Sequence, residues 1–181
     1  MKRPILFLAL PFALATLLAG CGGGGSSTTS AADWASGYCG GAATWVSTLD
    51  KLRGGIKAGD PTATPSDAVQ QLTFATNDFA KAIDDLGQPD TPDGSTSEAT
   101  AKNLSATLQG RVARAQTAID SNNPDMTDAL RAKIAREQVT ASLAAVTGTT
   151  AQLGKDDSEL GTAMDASSSC ADLKTALEKA A

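Results

Sequence analysis

The chain has 181 residues, with 20 Asp and Glu against 15 Lys and Arg, no histidine and a formal net charge of −5. A balance this acidic lacks the clustered Lys and Arg that neutralise phosphates, which argues against nucleic acid as a partner. Without imidazole there is neither a usual zinc set nor the usual base for a catalytic thiol, and the length suits one domain around one core.

The chain opens with Lys2 and Arg3, continues in an apolar run over residues 5–18, and reaches Leu18-Ala19-Gly20-Cys21 ahead of four glycines and two serines. The apolar run falls short of the roughly 20 residues that cross hydrocarbon, and Pro4 and Pro11 lie in or beside it, so a cleaved leader is the better reading. This order of basic, apolar and small residues ending in cysteine resembles the lipobox of bacterial lipoproteins. The resemblance covers residues 1–30. It implies removal of residues 1–20, acylation of Cys21, palmitate included, and anchoring on the extracytoplasmic face of the cell membrane or outer membrane. Gly22 stands where an aspartate often signals inner-membrane retention, which permits outer-membrane sorting. Cleavage removes two cations and no acid, so the mature charge becomes −7. Residues 21–30 are expected to be a flexible Gly/Ser tether, residues 22–30 of it spanning on the order of 15–18 Å, and residues 31–181 a single helical domain.

Helical spacing dominates the rest, and no stretch reads as a strand. From Asp33, Trp34, Tyr38, Ala42, Trp45, Leu49, Leu52 and Ile56 recur at steps of three and four and line one helix face, which Gly54-Gly55 is expected to end. Thr64-Pro65-Ser66-Asp67 carries a cap, a first-position proline and a first-turn acid. Val69, Leu72, Thr76, Phe79, Ile83 and Leu86 follow, and Gly87 with Pro89 stops that second helix. Ser95 and Glu98 stand in capping-box spacing ahead of Ala101, Leu104, Leu108, Val112, Ala115 and Ile119.

Ser121-Asn122-Asn123-Pro124 connects to a fourth helix whose inner side is marked by Met126, Leu130, Ile134, Val139, Leu143 and Val146. Gly148, Gly154 and Gly161 each cost about 1 kcal/mol relative to alanine inside a helix, so helix four is expected to fray there. A short piece over residues 158–164 and a last helix from Ser168 or Ser169, with Leu173 and Leu177 on its face, complete the chain. Short turns favour antiparallel neighbours. The expected fold is all-α: an up-down antiparallel bundle of four main helices plus a short C-terminal helix.

Cys39 and Cys170 remain once the lipid takes Cys21, and thiols of an exported protein usually oxidise. Their pairing would close a loop of about 130 residues, contributing at most about 5 kcal/mol in the chain-entropy picture, and would fasten the last helix to the first. A metal site or a catalytic thiol is the weaker alternative, for want of histidine.

Two clusters compete for function. Trp34, Tyr38 and Trp45 are three of the five aromatics in the mature chain; they are either a stacking platform for a flat ligand or, as the continuing stripe favours, core. Arg111, Arg114, Arg131, Lys133 and Arg136 flank the turn before the fourth helix and form a candidate patch for an anionic ligand, since arginine forks match phosphate and carboxylate. The alternative is that they meet Asp78, Asp84 and Asp85 of the second helix or point to water. The acids lack calcium-loop spacing, and there is no phosphate loop, dinucleotide glycine motif or nucleophile elbow. No cofactor or metal is expected. The sequence favours a non-catalytic bundle that binds an envelope protein or polymer or serves envelope structure. An enzyme with a carboxylate or Ser/Lys site between helices, and a carrier of a small apolar ligand, are the alternatives.

Overall fold

The computed structural model describes residues 28–57, 64–121 and 127–180. The expected leader, Cys21 and the glycine run lie outside the described residues, as do Asn122, Asn123, Pro124 and Met126. The described chain is mostly helical, with six helices and one disulfide.

Strand β1 (Thr28–Thr29) precedes helix α1 (Ala31–Lys57). Ser30 starts the helix: its hydroxyl accepts the Asp33 backbone N–H at 3.2 Å and donates to the Asp33 carboxylate at 2.7 Å. Gly54-Gly55 does not end α1, which runs on to Lys57. Packing overrides the glycine cost here, because the far end of the chain lies alongside these turns. Lys179 pairs with Asp50 at 2.7 Å, and Arg53 donates to the Ala180 carbonyl.

Helix α2 (Pro65–Leu86) begins as its sequence suggests, with the Thr64 hydroxyl accepting the Asp67 N–H at 3.1 Å and proline in the first turn. Gly87 ends it with φ 64°, a conformation that glycine adopts without penalty. The chain then forms β2 (Gln88–Pro89), which pairs in parallel with β1 in the register Thr28 to Gln88 and Thr29 to Pro89. Two residues carry no periodic signal, which is why neither strand shows in the sequence. Thr28 and Thr29 thus belong to the folded part and not to the tether expected over residues 21–30.

Helix α3 (Gly94–Asp120) starts one residue before the expected cap. The capping box of Ser95 and Glu98 does not form. Asp93 is the capping position without a side-chain bond, and Glu98 pairs with Lys102 at 2.7 Å instead. Space explains Gly94: a Cβ there would lie 2.0 Å from the Pro89 carbonyl oxygen. The expected stripe from Ala101 to Ala115 is buried, and Ile119 is half-buried.

Helix α4 (Asp128–Asp156) is capped by Thr127, whose hydroxyl accepts the Leu130 N–H at 3.2 Å. It passes unbroken through Gly148 and Gly154 instead of fraying. Two short helices follow it, α5 (Ser158–Ala166) over the piece expected at residues 158–164 and α6 (Ser168–Ala180) as the expected last helix. Asp157 makes the corner, with one carboxylate oxygen accepting the Leu160 N–H at 3.0 Å. The glycines bring α4 and α5 together, since a Cβ on Gly161 would sit 2.3 Å from the Gly154 carbonyl oxygen. Of the expected inner side of α4, only Val146 is fully buried; Ile134, Val139 and Leu143 are half-buried and Leu130 is exposed.

Helix α1 packs against α2, α5 and α6, α2 against α3, and α3 against α4. Besides the predicted face of α1, a second stripe of Ala35, Cys39 and Val46 is buried. Cys39 is bonded to Cys170 in α6, with the Cα atoms 4.8 Å apart. Cys39 to Cys170, Asp50 to Lys179 and Arg53 to Ala180 fall in the same order along α1 and α6.

The glycines divide by surroundings. Gly110 and Gly148 would place a Cβ in open space, so Gly110→Ala and Gly148→Ala should each stabilise the fold by about 0.5–1 kcal/mol. Gly161→Ala should destabilise it by about 1–3 kcal/mol through overpacking at Gly154. Urea unfolding of the three variants checks both signs.

Candidate functional site

The aromatic cluster of α1 is core. Trp34, Tyr38 and Trp45 are at most 1% exposed. Trp34 stacks on Tyr38 with centroids 5.4 Å apart, and Tyr38 meets Phe79 of α2 at 6.2 Å in a tilted pair. Their polar tips are also spent. The Trp34 indole donates to the Gly87 carbonyl at 2.9 Å, and the Trp45 indole to the Thr76 hydroxyl at 2.9 Å. The Tyr38 hydroxyl meets the Thr150 hydroxyl at 3.1 Å. No face is left for a sugar or flat ligand to stack on. Burial pushes the Tyr38 phenol up to about 12, against a smaller opposite pull from the Thr150 hydrogen bond.

The basic residues around the α3–α4 connection occupy separate settings. Arg131 is half-buried and donates to the Ile119 carbonyl at 2.6 Å, tying α4 to the end of α3. Lys133 is exposed and lies 3.9 Å from Glu137 on its own helix. Arg114 is exposed, while the Nε of Arg111 is buried without a hydrogen-bond partner. Arg136 is exposed and borders a cavity described below. The α2 acids have other neighbours: Asp85 pairs with Lys81, and Asp84 lies 3.8 Å from Lys102 of α3.

Asp157 is 1% exposed. Its carboxylate accepts the Leu160 N–H and the hydroxyls of Thr91 and Ser97, the last at 3.2 Å. These contacts make it the joint between α5 and the start of α3. Among the described residues no group of three or more Cys, Asp or Glu is placed to hold a metal ion. No helix among them is long and apolar enough to cross a membrane.

Two of the ligand-sized hollows among the described residues lie between three helices. One, of about 930 Å³, is an open groove between α4, α5 and α6 beside Cys170, where Lys155 and Lys174 alternate with Asp165 and Glu178. The other, of about 320 Å³, is more enclosed and lies between the C-terminal half of α1, the first turns of α2 and the N-terminal half of α4. Leu49, Leu52, Val69, Leu72 and Val139 form its walls. Among the described residues Arg53 and Arg136 are the charged members of its lining, and no acid lines it. Ligand pockets are characteristically apolar cavities with few polar groups, about 300 Å³ and upward, so the second hollow fits that description. Sequence reasoning placed Arg136 in a basic cluster, passed over Arg53, and assigned the apolar residues to core. No periodicity distinguishes an apolar wall from an apolar contact.

The chain matches no protein-family model, no curated protein and no solved structure.

The buried phenol makes a testable pH dependence. An unfolded tyrosine ionises near pH 10, whereas Tyr38 in the fold holds its proton to about 12. The stabilisation is therefore complete below pH 10 and is lost as pH rises through that window, where the unfolded chain binds fewer protons. Urea midpoints from pH 9 to 12 should fall less steeply in Tyr38→Phe than in the parent; equal slopes would contradict this assignment.

Proposed function

We propose that this protein is a lipid-anchored, extracytoplasmic lipoprotein whose helical bundle acts in binding and not in catalysis. The Cys39–Cys170 bond carries the reading. A cysteine pair bridging the first and last helices suits an oxidising compartment, and it leaves Cys21 of the Leu18-Ala19-Gly20-Cys21 box as the one cysteine for acylation. Several acyl chains, each buried CH₂ contributing about 0.8 kcal/mol, would make such an anchor practically permanent.

The four long helices are read as an up-down bundle. Trp34 with Gly87 and Trp45 with Thr76 run in opposite order along α1 and toward the end of α2. Asn77 with Gln109 and Asp84 with Lys102 do so along α2 and α3. Ile119 with Arg131 and Ser97 with Asp157 do so along α3 and α4. In this arrangement the tether meets the domain at the start of α1. The cavity lies around Leu49 and Arg53, about 30 Å further along that helix at 1.5 Å per residue. The binding end thus faces away from the anchored end.

Cys21→Ala should abolish incorporation of labelled palmitate and shift the protein from carbonate-washed membranes to the soluble fraction. A variant that stays in washed membranes would sink the anchor reading.

A further inference from the structure

We infer that the cavity between α1, α2 and α4 binds a single-chain anionic amphiphile, a medium-chain carboxylic acid, with the chain inside and the carboxylate at Arg53 and Arg136. This deepens the binding reading above by naming a ligand class, and it does not depend on the lipid anchor.

Three observations converge on it. The first is wall chemistry. Apart from the two arginines and Thr140, the lining consists of Leu, Val and Ala side chains. A polar ligand would leave its hydrogen bonds unmade against such walls, at a cost that an alkyl chain avoids. The second is size. At about 30 Å³ per water-sized group, 320 Å³ holds roughly ten groups. That suits one chain of about ten carbons and is too little for two long acyl chains or for a helix.

The third is charge. The domain is acidic overall, yet two arginines and, among the described residues, no carboxylate line this cavity. Arg53 is half-buried and, among the described residues, has one donor engaged, by the Ala180 carbonyl, out of the five that a guanidinium offers. Arg136 is exposed. A carboxylate between them would gain charge-assisted hydrogen bonds of the forked kind. A neutral amphiphile would gain only the apolar contact.

The test uses the full chain as purified from its host, mixed with phosphatidylcholine vesicles and photolabelled with decanoic acid bearing a terminal diazirine and, at equal bilayer loading, with the matching decanol. Peptide mapping should place the acid on segments containing Leu52, Leu72 or Val139. Decanol should label them at least tenfold less. Arg136→Glu should cut labelling by the acid about tenfold with an unchanged melting temperature, and Leu72→Trp should block it by filling the cavity. If Leu72→Trp does not fold, Arg136→Glu decides alone, since that side chain is exposed. Equal labelling by decanol, labelling indifferent to Arg136→Glu, or preferential labelling of the same segments by a two-chain phosphatidic acid analogue would overturn the proposal. Each of these results leaves the outcome of Cys21→Ala untouched, so the two readings fail separately.

Discussion

The burial of α1 is the constraint on which the rest of the fold depends. Its apolar surface is wider than one stripe. Trp34, Tyr38, Trp45 and Leu49 lie on one side, and Ala35, Cys39 and Val46 extend it on another. A helix with so broad an apolar surface has to be covered by several partners, and here α2, α5 and α6 share the task. The large aromatics supply much of the buried area, and the stacked Trp34–Tyr38 pair adds about 0.5–1.5 kcal/mol beyond area burial. Short α5 and α6 could not be stable alone, since isolated helices below about 12–15 residues are marginal in water. They persist as the cover of α1.

Covalent and polar ties then fix the placement that apolar contact leaves loose. Cys39–Cys170 joins α6 to α1 in its first turn, and the Asp50–Lys179 pair with the Arg53 bond to Ala180 holds the other end. Both indole donors reach α2 or the residue after it, so α1 and α2 are joined near the Gly87 turn and again near Thr76. Buried donors that are satisfied in one arrangement and orphaned in others select that arrangement. Asp157 plays the same part for α5, where two hydroxyls and one backbone N–H converge on one carboxylate.

Where this network thins, the cavity opens. The N-terminal half of α4 has Leu130 exposed and Ile134 and Val139 only half-buried. Packing against α1 is slight along this helix, whereas its C-terminal end is pressed onto α5 through Gly154 and Gly161. One helix is thus clamped at one end and spaced at the other. The space is lined by residues that would otherwise be ordinary core, and its two cations come from helices far apart in sequence.

Much of the helical content was legible in the residues. Three-four spacing marked the faces of α1, α2 and α3, Thr64 and Gly87 marked the bounds of α2, and two cysteines without histidine marked the disulfide. These signals are local, or nearly forced by composition. Tertiary structure decided the remainder. Gly54-Gly55, Gly148 and Gly154 reduce helix propensity by about 1 kcal/mol each, less than the packing of the rest of each helix restores, so α1 and α4 run through them. The β1–β2 pair and the early start of α3 at Gly94 follow from segments meeting in space. The cavity is of the same kind, because an apolar residue reads identically in a sequence whether its neighbour touches it or stands a few ångströms away.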